Sequence, residues 1–121
     1  MKLRIKGNSL RLRITRSELV QLMSVGRIVE TIQFARASDA RLTYALVVRN
    51  ATNDLELEYR DHTVTVVLSP AAASRWAESE DVGVYAEGEL ALIVEKDFAC
   101  LDGNDPQDAD AFPNPHAGIV C

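Results

Sequence analysis

The sequence predicts an α+β, strand-rich domain of barrel-like form, made of two ββαββ units about a pseudo-two-fold axis, with two short helices covering its ends. Three observations predict it. Most segments alternate apolar and polar residues at period two. Only two segments carry helix-start signals. The order of segments in residues 1–50 returns in residues 55–98. The chain has 121 residues, of which 47% are apolar and 26% charged. That suits one domain with one modest core and argues against wholesale disorder.

Lys2 to Lys6 alternates, with Leu3 and Ile5 on one face. Leu10, Leu12 and Ile14 alternate with Arg11 and Arg13. Gly7-Asn8-Ser9 between them is a turn signal, because Gly and Asn tolerate positive φ. Thr15 is placed to N-cap a helix, and Glu18 three residues later completes a capping box. Leu19, Leu22 and Met23 share one helical face, and Gly26 is a C-cap. Strands are expected over 28–34 and 42–48, joined by a polar connection. Residues 50–54 form the clear internal linker.

The second unit starts with an alternating strand over 55–59, and Asp61-His62 serve as its turn. Val64, Val66, Val67 and Leu68 form the next strand. Ser69-Pro70 opens a helix, with Ser as N-cap and Pro at the first helical position. Residues 82–86 and 90–94 read as a hairpin joined through Glu87-Gly88. The domain is expected to occupy residues 1–100. Residues 101–121 form an acidic, proline-containing tail without Lys or Arg.

A shift of 54 residues aligns the halves without a gap over about thirty positions. It sets Leu3 on Leu57, Ile14 on Leu68, Thr15 on Ser69, Leu22 on Trp76 and Ile28 on Val82. Identities are almost absent, but the loop lengths agree, which favours an internal duplication. One unit alone could not bury its hairpin face, whereas two packed units could.

Net charge is −5, distributed as +7 over residues 1–50 and −12 over 51–121. Such asymmetry points to a partner surface at the basic end, or to attraction between the halves. No apolar run approaches the ~20 residues that span a bilayer. The alternating start, Met1 to Lys6, lacks the apolar stretch of a signal peptide, so a cytoplasmic protein is expected.

The run from Lys6 to Ile14, followed by the helix from Thr15 to Met23, resembles the swapped-hairpin DNA-binding domains. These are the transition-state regulators of AbrB type and the MazE-type antitoxins. Val64 to Val94 looks like a second copy of the unit. The whole chain also resembles a family of small bacterial proteins of unknown function. The first resemblance implies a built-in pseudo-dimer that binds DNA through Lys2, Arg4, Lys6, Arg11 and Arg13. Basic residues on one face can neutralise phosphates, and arginine can read guanine edges. In the second unit Glu58 replaces Arg4, Thr65 replaces Arg11, Val67 replaces Arg13, and Arg60 matches Lys6. The basic residues therefore either bind DNA or serve as solvated strand exteriors and partners of the acidic half.

Other constellations define the alternatives to a DNA-binding regulator. Glu56, Glu58 and Arg60 alternate as in triphosphate-tunnel enzymes, where carboxylates hold magnesium or manganese, but the chain is too short for a full tunnel. Glu95, Lys96 and Asp97 cluster at a strand end and are expected to face water. Cys100, His116 and Cys121 have zinc-ligand chemistry but fit no compact zinc spacing. Residues 102–110 lack the Gly and closing Glu of a calcium loop. No nucleophile elbow, phosphate loop or dinucleotide fingerprint is present, and His62 reads as a turn residue. A non-enzymatic binding module is the expectation, as monomer or dimer; the alternatives are a small metal-binding or phosphate-handling protein, or a partner-binding protein acting through its acidic tail. Phe112, in the stiffened run to Pro115, either packs back on the domain or docks on a protein partner.

Overall fold

The structure is a computed structural model that describes residues 1–98. Its strands are β1 (Lys2–Lys6), β2 (Ser9–Ile14), β3 (Arg27–Gln33), β4 (Arg41–Val48), β5 (Leu55–Arg60), β6 (Thr63–Leu68), β7 (Gly83–Ala86) and β8 (Ala91–Lys96). Helix α1 (Arg16–Val25) follows β2, and α2 (Pro70–Glu78) follows β6. The chain is thus a strand-rich α+β domain with the element order ββαββ twice.

Local chemistry explains the boundaries. The Thr15 hydroxyl accepts from the Glu18 amide at 3.3 Å, and the Glu18 carboxylate accepts from the Thr15 amide at 2.9 Å. This reciprocal box satisfies two amides at the start of α1. Gly26 ends α1 in the left-handed region, φ 90°, and its amide reaches the Leu22 carbonyl. The Ser69 hydroxyl caps α2 by accepting from the Ala72 amide. Asp61 and His62 both take positive φ, 51° and 60°, as the turn between β5 and β6 requires.

The strands form two four-stranded sheets, β1-β2-β8-β7 and β5-β6-β4-β3. Each outer pair is an antiparallel hairpin, and each central pair, β2 with β8 and β6 with β4, is parallel. Every sheet therefore combines one hairpin from the first half of the chain with one from the second. The expected barrel is not closed. Closure would need a ladder between the sheets, but β1, β7, β3 and β5 remain edge strands. The helices do not cap opposite ends either. They contact each other, with α1 on β3 and β4 and α2 on β7.

The inward residues of both sheets share one core. Leu12, Ile14, Leu22, Leu46, Val66, Leu68, Trp76 and Val94 are almost fully buried within it. The Trp76 indole N–H donates to the Val82 carbonyl at 3.1 Å, so this buried ring keeps its polar partner. The 54-residue correspondence holds from the first hairpin through the helix start, with Leu22 and Trp76 both buried. It fails after the helix. Val84, not Val82, is the buried partner of Val94, as Ile28 is of Leu46. The connection after α2 is longer, which carries Val82 outward to 47% exposure. Met23 likewise leaves the expected helical face and stays exposed.

Candidate basic face of the first sheet

With Leu10, Leu12 and Ile14 buried, strand alternation turns Arg11 and Arg13 to the outer face of the β1-β2-β8-β7 sheet. Cross-strand register sets Arg4 beside Arg11, Lys2 beside Arg13 and Lys6 beside Ser9. The structure thus brings all five predicted basic residues onto one face. Lys2, Arg4 and Lys6 are exposed on the edge strand, and Arg11 and Arg13 are half-buried.

The neighbouring strand changes the electrostatics of that face. In the parallel β2–β8 pair, Arg11 lies beside Ile93 and Arg13 beside Glu95. Glu95 is buried. Its Oε1 accepts from Arg13 Nε at 2.8 Å and lies 3.5 Å from Arg11 Nε. Lys2 Nζ meets Asp97 Oδ2 at 2.9 Å. The Asp97 amide in turn donates to the Ile14 carbonyl at 2.9 Å, which fixes that carboxylate beside the β2 terminus. The acidic second half therefore supplies counter-charges at one end of the basic face. Glu95 and Asp97 do not merely face water, as their place at a strand end suggested. Lys96 Nζ donates to the Ser79 carbonyl at 2.8 Å and ties β8 to the end of α2.

Gly83, opposite Glu95, makes this arrangement possible. A Cβ at position 83 would stand 2.5 Å from the Val94 carbonyl oxygen and 2.9 Å from Glu95 Cβ. The missing side chain leaves room for the carboxylate stem. An isolated Gly in a strand pattern is a sequence signal of such close approach.

A second polar cluster surrounds the Met1 amino group, and no local sequence pattern marks it. The Met1 amino group pairs with Glu18 and lies 3.3 Å from Glu30 Oε1, while Tyr44 Oη donates to Glu30 Oε2 at 2.8 Å. Burial alone would lower the Met1 ammonium pKa, but the two carboxylates outweigh it and hold the group above its ordinary value. Burial pushes the Glu18 carboxyl up, yet the ammonium and the Thr15 amide bring it below its ordinary value. The Tyr44 phenol is raised, first by its hydrogen bond to Glu30 and then by burial.

Among the described residues, the carboxylates of the triphosphate-type strand have other partners. Arg49 pairs with Glu58, and Glu56 Oε1 accepts from the Asn53 amide at 3.1 Å. Among the described residues no three His, Cys, Asp or Glu side chains come together in a metal-holding group. Cys100, His116, Cys121 and the acidic tail with Phe112 lie outside the described residues. None of the described helices is long and apolar enough to cross a membrane.

Fold and site define a strand-rich α+β domain with a basic sheet face neutralised at one end by buried or anchored carboxylates. The chain belongs to DUF7009, a family of unknown function, which it matches over residues 1–116. Comparison with curated proteins gave no match, and neither did comparison with solved structures.

Proposed function

We propose that this domain is a non-enzymatic, cytoplasmic binding module of swapped-hairpin type that contacts DNA through the outer face of its first sheet. One observation carries the reading: Lys2, Arg4, Lys6, Arg11 and Arg13 share that face in adjacent register positions. Such a face suits a phosphate backbone, which rewards clustered cations in a salt-dependent way. Lys6 and Arg4, exposed on the edge strand, are the leading contacts. Glu95 holds Arg11 and Arg13 in fixed directions.

The fold supports this reading through its exchange of hairpins. One chain supplies both units that two chains supply in the swapped-hairpin regulators. The β1–β2 and β5–β6 registers coincide under the 54-residue shift, since Lys6 pairs with Ser9 as Arg60 pairs with Thr63. We read this as an internal duplication in which the second unit has lost its basic face.

The Arg11, Arg13 and Lys2 ion pairs favour a second reading, in which these cations clamp the two halves together and bind nothing else. Fluorescence anisotropy with a labelled duplex over a salt series separates the two. Affinity that falls steeply with salt supports DNA contact, while no binding at low salt leaves only the clamp.

A further inference from the structure

We propose that the groove between α1 and α2 is the seat of the chain's own C-terminal segment, with Phe112 as its anchor. This is independent of the DNA reading. The groove encloses about 800 Å³; Leu19, Ala77 and Phe98 form its apolar wall, bordered by Arg16, Glu80 and Asp97. Leu19 and Ala77 also line its shallower continuation along α1, which Val20 and Met23 complete. Val20, Met23 and Phe98 are 64%, 42% and 62% exposed, so the groove presents apolar surface with no cover among the described residues. Exposed apolar surface of this kind marks a binding site.

Two observations select the occupant, the path of the chain and its reach. Phe98, the last described residue, forms part of the groove wall, so the remaining chain leaves from the groove itself. Phe112 stands fourteen positions further on. Fourteen residues reach up to about 50 Å when extended, against about 15 Å for a helix of ten residues, so the chain can turn back and cover α1.

A tethered segment competes at an effective concentration in the millimolar range, which favours the chain's own tail over that of a second copy. Pro113 and Pro115 restrict the backbone around Phe112 and lower the entropic cost of docking.

The test uses the full chain and compares wild type, Phe112→Ala and Phe112→Leu by heteronuclear NMR. Phe112→Ala is expected to shift the signals of Leu19, Val20, Met23 and Ala77. It should also speed amide exchange over residues 20–25 about tenfold. Leu12 and Val94 should not move, which confirms an intact core. Phe112→Leu should keep most of the protection. Unchanged groove signals in Phe112→Ala would overturn the proposal. So would groove shifts that change on dilution of the wild type, because the occupant would then come from a second copy.

Discussion

Arg13 and Glu95 lie side by side in the parallel β2–β8 pair, 82 residues apart in the chain, with Nε 2.8 Å from Oε1. Glu95 is buried while Arg13 keeps partial access to water. The pair therefore joins the N-terminal hairpin to the C-terminal one at the seam between the two halves. Its carboxylate is shared with Arg11, so one anion orders two cations on the candidate DNA face.

Replacing Glu95 with Gln keeps the shape and removes the charge. The two guanidinium groups then repel with no anion between them. Stability is expected to fall by about 1–3 kcal/mol, between the values for exposed and fully buried ion pairs. Urea denaturation checks this as a lower midpoint with an unchanged slope. An unchanged midpoint would mean that the pair contributes nothing to the seam.

Gly83→Ala tests the space that Glu95 uses. The new methyl group would meet the Val94 carbonyl oxygen and the Glu95 stem at impossible distances, so β7 must shift or the β7–β8 pairing must loosen. A loss of about 1–3 kcal/mol is expected, as for other overpacked sites. Gly88→Ala is the control, since nothing stands near its added Cβ. Thermal melts of the two variants should differ clearly.

The Met1–Glu18–Glu30 cluster gives stability two pH limits. Glu18 has a lowered folded pKa, so its contribution is present above its ordinary value of 4.5 and is lost as pH falls through the folded value. The Met1 amine has a raised folded pKa, so its contribution is present below its ordinary value of 8.0 and is lost as pH rises through the folded value. Acetylating the Met1 amine should lower stability by about 1 kcal/mol on the plateau between them and flatten the alkaline limb. Denaturant midpoints measured from acid to alkaline pH would show this. Equal profiles with and without acetylation would remove the cluster from the account.

Local features were legible in the sequence and distant ones were not. The capping box at Thr15 and Glu18, the Ser69-Pro70 helix start and the turns at Gly7-Asn8-Ser9 and Asp61-His62 depend on residues within four positions of each other, and the structure has all of them. Alternation also gave the outward direction of Arg11 and Arg13. The parallel β2–β8 and β4–β6 pairings carry no such local mark. Glu95 therefore read as a solvated strand end, although it is the ion-pair partner of the site's arginines. The Tyr44–Glu30 bond was equally hidden, because neither residue signals a buried network on its own. From helix start to strand start the second half has two more positions than the first, so a gapless shift assigns Ile28 to Val82 instead of Val84.

The most direct test of the DNA reading compares wild type with the Arg4→Glu, Lys6→Glu double variant in duplex binding across a salt series. Both positions are exposed on the edge strand β1, so the core should survive, and circular dichroism and the melting temperature can confirm it. Binding should weaken in the double variant, and a plot of log affinity against log salt should have a slope shallower by about two, one for each lost phosphate contact. A folded double variant with the wild-type affinity and slope would contradict it.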